Sequence, residues 1–293
     1  MNKILIILLY IFSFQTFAQT ELAGRWLGVI TQTGSNNVAS SYYFEMNFKT
    51  DSTKNISGTT YSYLRKESGK YILKANFVAS LKDTLKENLK ANELIFKELS
   101  MIEYENTIQK RADYCIKSGT LQLITENNKM VLKGEWNGKE HKTDNPCAGG
   151  TILLEKFLPD TTSGVAFNDE KPIQLQGREI KKGKSITVHS TTLKIEIFDD
   201  ADEDDDMISL NFNGKWLAKK YKLKNQSLQR TIHINPISPF NFISTLAHNL
   251  GKMPPNTTAL LIDDGKKKQK VVLKSDMNES DILYLEYEAI EKK

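Results

Sequence analysis

Seven of the eight residues from Asp199 to Asp206 are acidic: Asp199, Asp200, Asp202, Glu203, Asp204, Asp205 and Asp206. Like charges this dense repel one another and raise each other's proton affinity unless water or a cation screens them. Carboxylate oxygens are hard ligands, and calcium takes about six to eight oxygens. Asp200, Asp202 and Asp204 follow the one-three-five spacing of an EF-hand loop, and Asp206 continues it. The pattern then fails. Asp205 stands where an EF-hand needs Gly, and Asn211 stands where it needs a bidentate Glu. The flanking segments, Leu193–Phe198 and Met207–Phe212, read as strands and not as helices. The expectation is a calcium site on a strand-flanked loop, weak if formed, with Asp200, Asp202, Asp204 and Asp206 as candidate ligands. A solvated acidic hairpin is the alternative.

Other residues with chemical potential are few. Cys115 and Cys147 are the only cysteines. In an exported chain an even pair reads as a disulfide. A catalytic thiol partnered by His141 is the rival reading, and no family signature surrounds either Cys. His141, His189, His233 and His248 lack zinc-ligand spacing to each other or to a Cys. There is no Gly-x-Ser-x-Gly elbow, no phosphate-binding Gly loop and no His-Glu-x-x-His. These absences point away from an enzyme. The net charge of +4 is spread along the chain. Lys266, Lys267, Lys268 and Lys270 cluster beside Asp263 and Asp264, which reads as a hairpin tip. No basic stripe with interleaved aromatics appears, so nucleic acid is not an expected partner.

The segments that must position these residues begin with an export signal. Met1-Asn2-Lys3, the apolar run Ile4–Phe14 and Gln15-Thr16-Phe17-Ala18-Gln19 follow the order of a secretory signal peptide. The run is shorter than the roughly 20 residues a membrane-spanning helix needs. Residues 1–18 are therefore read as a signal peptide, and the mature protein is expected in the periplasm or cell exterior. No other segment is apolar enough to cross a membrane.

Residues 19–158 carry eight short strand-like runs, several alternating apolar and polar residues, as in Tyr71-Ile72-Leu73-Lys74-Ala75-Asn76-Phe77. Sequential strands with short turns predict an up-and-down barrel. Leu81, Leu85 and Leu89 recur at helical spacing within Leu81–Asn92, which predicts a short helix or a long loop. Residues 159–169, with Pro159, Asp160, Thr161, Thr162, Ser163 and Gly164, lack periodicity and read as a linker. Residues 170–293 are again β-rich. Asn213-Gly214 is a strong two-residue hairpin signal there, and the strand spacing predicts an antiparallel β-sandwich. Gly251-Lys252-Met253-Pro254-Pro255-Asn256-Thr257 reads as a defined connection between strands, and its prolines admit a cis peptide.

Gly24-Arg25-Trp26 on the first strand resembles the Gly-x-Trp signature of lipocalin-like calycin barrels. The resemblance implies a Trp26 that closes one end of the barrel, with Lys156 on the last strand packed over it by a cation–π contact. A wider resemblance rests on three sets. They are Leu132-Lys133-Gly134-Glu135-Trp136 with the Cys115 and Cys147 segments, Asp199–Asp206 with Ile208–Gly214, and Ala247-His248-Asn249-Leu250-Gly251-Lys252-Met253-Pro254-Pro255. Together these are similar to exported two-domain bacterial proteins of uncharacterised function. That likeness implies a shared architecture and no activity.

The fold class is thus read as all-β: an eight-stranded calycin-like barrel followed by a β-sandwich. The function is read as non-enzymatic binding or interaction, with a small apolar or envelope-derived ligand in the barrel. Two alternatives stay open, a structural or adaptor protein of the cell envelope that uses the sandwich and a hydrolase of envelope polymers. No cofactor is expected beyond the calcium ion considered above.

Overall fold

The computed structural model describes residues 21–33, 39–53, 55–63, 71–81, 93–104, 115–141, 143–167, 172–181, 183–200, 203–238 and 241–289. The signal-peptide reading of residues 1–18, residues 82–92 of the helix-spaced stretch, and Asp202 lie outside them. The chain divides into two compact units, Met1–Phe157 and Leu158–Lys293.

The strands of the first unit are β1 (Gly24–Thr33), β2 (Ala39–Thr50), β3 (Ile56–Tyr63) and β4 (Tyr71–Leu81). They continue as β5 (Glu93–Tyr104), β6 (Cys115–Glu126), β7 (Lys129–Glu140) and β8 (Pro146–Lys156). Each pairs antiparallel with its successor, and β8 returns to β1, which closes an eight-stranded barrel. Closure leaves no sheet edge to template aggregation. Because side chains alternate across a strand, the register Trp26↔Met46, Gly28↔Leu154 and Leu132↔Leu154 turns one apolar set inward. Trp26, Phe44, Met46, Phe48, Phe77, Phe96 and Trp136 belong to a single buried cluster there. Side chains pack the interior at the described positions.

Trp26 is fully buried, and its indole N–H donates to the Leu22 carbonyl at 2.7 Å. Lys156 lies opposite it in register, with Nζ 5.6 Å from the ring centroid. The same ammonium donates to the Glu21 carbonyl. Burial lowers the Lys156 pKa, opposed by the nearby Glu21. Further along β1, the Trp136 indole donates to the Thr31 carbonyl at 2.9 Å. Two carboxylates are buried in this unit. Glu98 faces inward and accepts from Thr60 Oγ1 (2.6 Å) and Lys117 N (2.8 Å), with Lys117 Nζ at 3.5 Å. Glu45 accepts from Arg25 at 2.8 Å and from the Tyr63 hydroxyl at 2.7 Å. Burial, with Glu45 next, pushes the Tyr63 phenol well up.

The Cys115–Cys147 bond is present, with Cα atoms 6.1 Å apart. It ties β6 to β8 across the intervening β7 and passes over Gly138. A Cβ at Gly138 would lie 2.8 Å from Cys115 Cβ and 3.0 Å from Cys147 Sγ.

The second unit contains β9 (Val165–Phe167), β10 (Pro172–Leu175), β11 (Arg178–Ile180), β12 (Lys184–Val188), β13 (Thr192–Asp199) and β14 (Met207–Phe212). After the Asn213-Gly214 turn come β15 (Lys215–Lys222), β16 (Leu228–His233), β17 (Phe242–Ala247) and β18 (Asn256–Asp263). The last are β19 (Lys268–Ser275), β20 (Glu279–Ser280) and β21 (Ile282–Tyr287). One sheet has the order β16-β13-β18-β19-β20-β11-β10-β9, and the other β12-β21-β17-β14-β15. Leu193, Ile195, Ile197, Leu260 and Ile262 of the first share a core with Ile208, Leu210, Ile243, Leu283 and Leu285 of the second.

Residues 160–167, within the segment read as a linker, are built into the second unit. Asp160 caps a 3₁₀ turn, Thr161–Ser163, and donates its N–H to the Gly214 carbonyl at 2.8 Å. Residues Val165–Phe167 then pair with β10. A three-residue strand is too short to show a period, and its pairing partner was needed to reveal it.

Removing the disulfide should cost about 3–4 kcal/mol by the loop-entropy estimate. The more specific expectation concerns Gly138→Ala. Thiol titration under denaturing, non-reducing conditions should find no thiol in the native chain and a substantial fraction of reactive thiols in the variant. Equal thiol counts would show that the strands have room to spare.

Candidate metal centre

Strand alternation sorts the acidic run into two sets. Along β13, Leu193, Ile195, Ile197 and then Asp199 are buried, and the outward Asp200 forms an ion pair with Lys270 at 2.8 Å. Into β14, Asp204, Asp206, Ile208 and Leu210 are buried. Glu203 and Asp205 point outward. Glu203 accepts from Asn225 N at 2.7 Å, and Asp205, at φ 72°, pairs with Lys222 at 2.5 Å. Asp and Asn tolerate this left-handed conformation better than most residues. Of the expected ligands, Asp204 and Asp206 therefore come together, Asp200 does not, and Asp202 lies outside the described residues. Asp199 takes the third place. Counting by twos from Leu193 would have found it.

One oxygen from each of Asp199, Asp204 and Asp206 lies within 4.8 Å of the others. All three residues are buried, with Asp204 5% and Asp206 2% exposed. The segment His248–Pro255 folds over them. The Lys252 and Met253 N–H groups donate to Asp204 Oδ2 at 2.9 and 2.8 Å, and Thr257 N donates to Asp206 Oδ2 at 3.2 Å. Asn249 fastens the segment to the acidic loop, accepting from Met207 N and donating to the Asp205 carbonyl, both at 2.7 Å. The two loops singled out separately in the sequence are thus one structure. The Pro254–Pro255 peptide is cis.

Among the described residues, the partners of Asp204 and Asp206 are backbone N–H groups. Asp204 Oδ1 and Asp206 Oδ1 are buried with no hydrogen-bond partner. Burial, partly offset by the Thr257 N–H, lifts the Asp206 carboxyl to about 6, and Asp204 and Asp199 add to the rise. Asp264 shows the contrary case. Burial there is outweighed by N–H donors from Lys267, Lys266 and His189, and the carboxyl is held far below its usual range.

The histidines stand apart from the cluster. His248 Nε2 lies 2.8 Å from Ser209 Oγ, and burial, then Lys220 and Arg178, lower its pKa. His189 pairs with Asp264, and His233 meets Thr192. The cluster itself is all oxygen, which suits a hard cation such as calcium and not a soft one.

No protein-family model matches this chain, and no curated protein matches it.

Gly251 sits at φ +56°, where a Cβ would lie 2.4 Å from Asp204 Oδ2 and 2.5 Å from Asp206 Oδ1. The left-handed backbone alone costs a side chain about 1–2 kcal/mol, and the overlap adds to it. Gly251→Ala should therefore lower the urea unfolding free energy by more than about 2 kcal/mol. An unchanged midpoint would mean that the carboxylates are not packed beneath residue 251.

Proposed function

We propose that this is an exported, non-enzymatic interaction protein, a calycin-like barrel joined to a β-sandwich, with a calcium ion organising one apex of the sandwich. The observation that carries this reading is the buried meeting of Asp199, Asp204 and Asp206 beneath the segment His248–Pro255. The ion clamps that segment in place. It thereby presents Met253, Pro254 and Pro255, which are exposed, to a partner in the cell envelope.

The packed barrel interior supports placing recognition on the surface and not in a cavity for a small apolar ligand. The burial of the carboxylates supports ion holding over general acid–base work on a polymer, whose scissile bond would have to reach them. The disulfide fits an oxidising compartment, and no helix among the described residues is long and apolar enough to cross a membrane.

Extracellular calcium modules bind at about 10⁻⁴–10⁻³ M. A hundredfold excess of calcium over Kd adds about 2.7 kcal/mol by mass action, which is several degrees in Tm for a domain of this size. Thermal melts should rise by that amount in calcium, less in magnesium, and return in chelator. Trypsin should cut after Lys252 in chelator and be slowed in calcium. Identical melts and identical cleavage in every condition would overturn the reading.

A further inference from the structure

The inward face behind the carboxylates is polar where an apolar core is expected. In β18, Asn256 and Thr258 precede Leu260 and Ile262 on the same buried face. Thr258 is the cross-strand partner of Asp199, and Asn256 is the partner of Ser275, which in turn pairs with Ser280. Asn256, Thr258 and Ser280 have no exposed surface, and Ser275 has 3%. None of Asn256 Oδ1, Asn256 Nδ2, Thr258 Oγ1, Ser275 Oγ and Ser280 Oγ has a hydrogen-bond partner among the described residues. The Asp206 carboxylate accepts from Thr257 N, so it reaches β18 between Asn256 and Thr258.

We infer that Asn256 Oδ1 and Thr258 Oγ1 complete the oxygen shell begun by Asp199, Asp204 and Asp206, and that this neutral half of the shell makes the site prefer calcium to magnesium. The inference rests on the cation reading proposed above. Buried polar groups of folded proteins are nearly always hydrogen-bonded or coordinated, and these face the carboxylate cluster. Five protein oxygens from β13, the loop before β14 and β18 approach the shell of about six to eight oxygens that calcium takes, with water supplying the rest. Magnesium requires a compact octahedron and keeps its own waters. It gains less from oxygens whose spacing is set by two neighbouring strands. Ser275 and Ser280 continue the polar row across β19 and β20.

The test uses the full chain and titration calorimetry with calcium and with magnesium. Thr258→Val and Asn256→Leu nearly keep shape and remove the ligand oxygen. Each should weaken calcium binding about tenfold or more, with magnesium affinity changed less than twofold. In chelator both variants should melt at or above the native temperature, because a buried unpartnered polar group has been replaced by an apolar one. Thr258→Ser keeps the hydroxyl and should bind calcium as the native chain does. Native calcium affinity in the folded Val and Leu variants overturns the inference and leaves the carboxylate site standing. Equal losses in Thr258→Ser and Thr258→Val overturn it too, because packing would then be the cause. Absence of calcium binding in the native chain sinks the underlying site instead.

Discussion

Buried negative charge is the constraint around which both units are arranged. Removing a carboxylate from water costs several kcal/mol even after relaxation, so each must meet a compensating charge or a set of donors. In the barrel the compensation is internal: Arg25 for Glu45 and Lys117 for Glu98. At the β18–β19 hairpin, Asp264 is met by backbone donors and His189. The apex follows a different rule, because Asp204 and Asp206 meet N–H groups and each other. An unsatisfied buried polar atom costs about 1–3 kcal/mol. The row of such atoms from Asp204 to Ser280 would together rival the about 5–15 kcal/mol by which a domain is stable. The cation proposed above, with its water, would remove that conflict.

The barrel reaches its balance by different means. Its inward positions carry large rings, and two indoles are anchored at either part of β1 by carbonyl acceptors, Leu22 for Trp26 and Thr31 for Trp136. Phe48 packs edge-on against both Trp26 and Phe77. A barrel of eight strands is only wide enough to be filled by side chains or to hold one small ligand, and these aromatics fill it at the described positions.

Much of this organisation was legible in the residues. Eight strand-like runs, several of them alternating, marked the barrel strands, and the Asn213-Gly214 dipeptide marked the β14–β15 hairpin, where both residues adopt positive φ. Short strands such as β9, β11 and β20 were not legible, since two or three residues carry no period. The parallel pairings of β11 with β20 and β12 with β21 join segments about a hundred residues apart, and no local pattern encodes such contacts. At the candidate site, motif spacing favoured Asp200, but the strand's own alternation controls which side chain turns inward. Asp199 won because it continues the column of Leu193, Ile195 and Ile197. The neutral groups Asn256 and Thr258 were invisible for another reason: a polar residue in a strand reads as outward until the register shows what it faces.

The crossing of the disulfide over Gly138 makes three positions into one heritable unit. With the bond in place, a methyl group at position 138 displaces its neighbours, although β-branched residues otherwise suit the middle of a strand. Of its close neighbours, Cys115 Cβ at 2.8 Å and Trp136 Cζ3 at 3.0 Å belong to the packing of β6 and β7, and Cys147 Sγ at 3.0 Å is the part that the crosslink adds. A chain that keeps the crosslink must therefore keep position 138 small. Residues 115, 138 and 147 are thus one linked choice and not three separate ones.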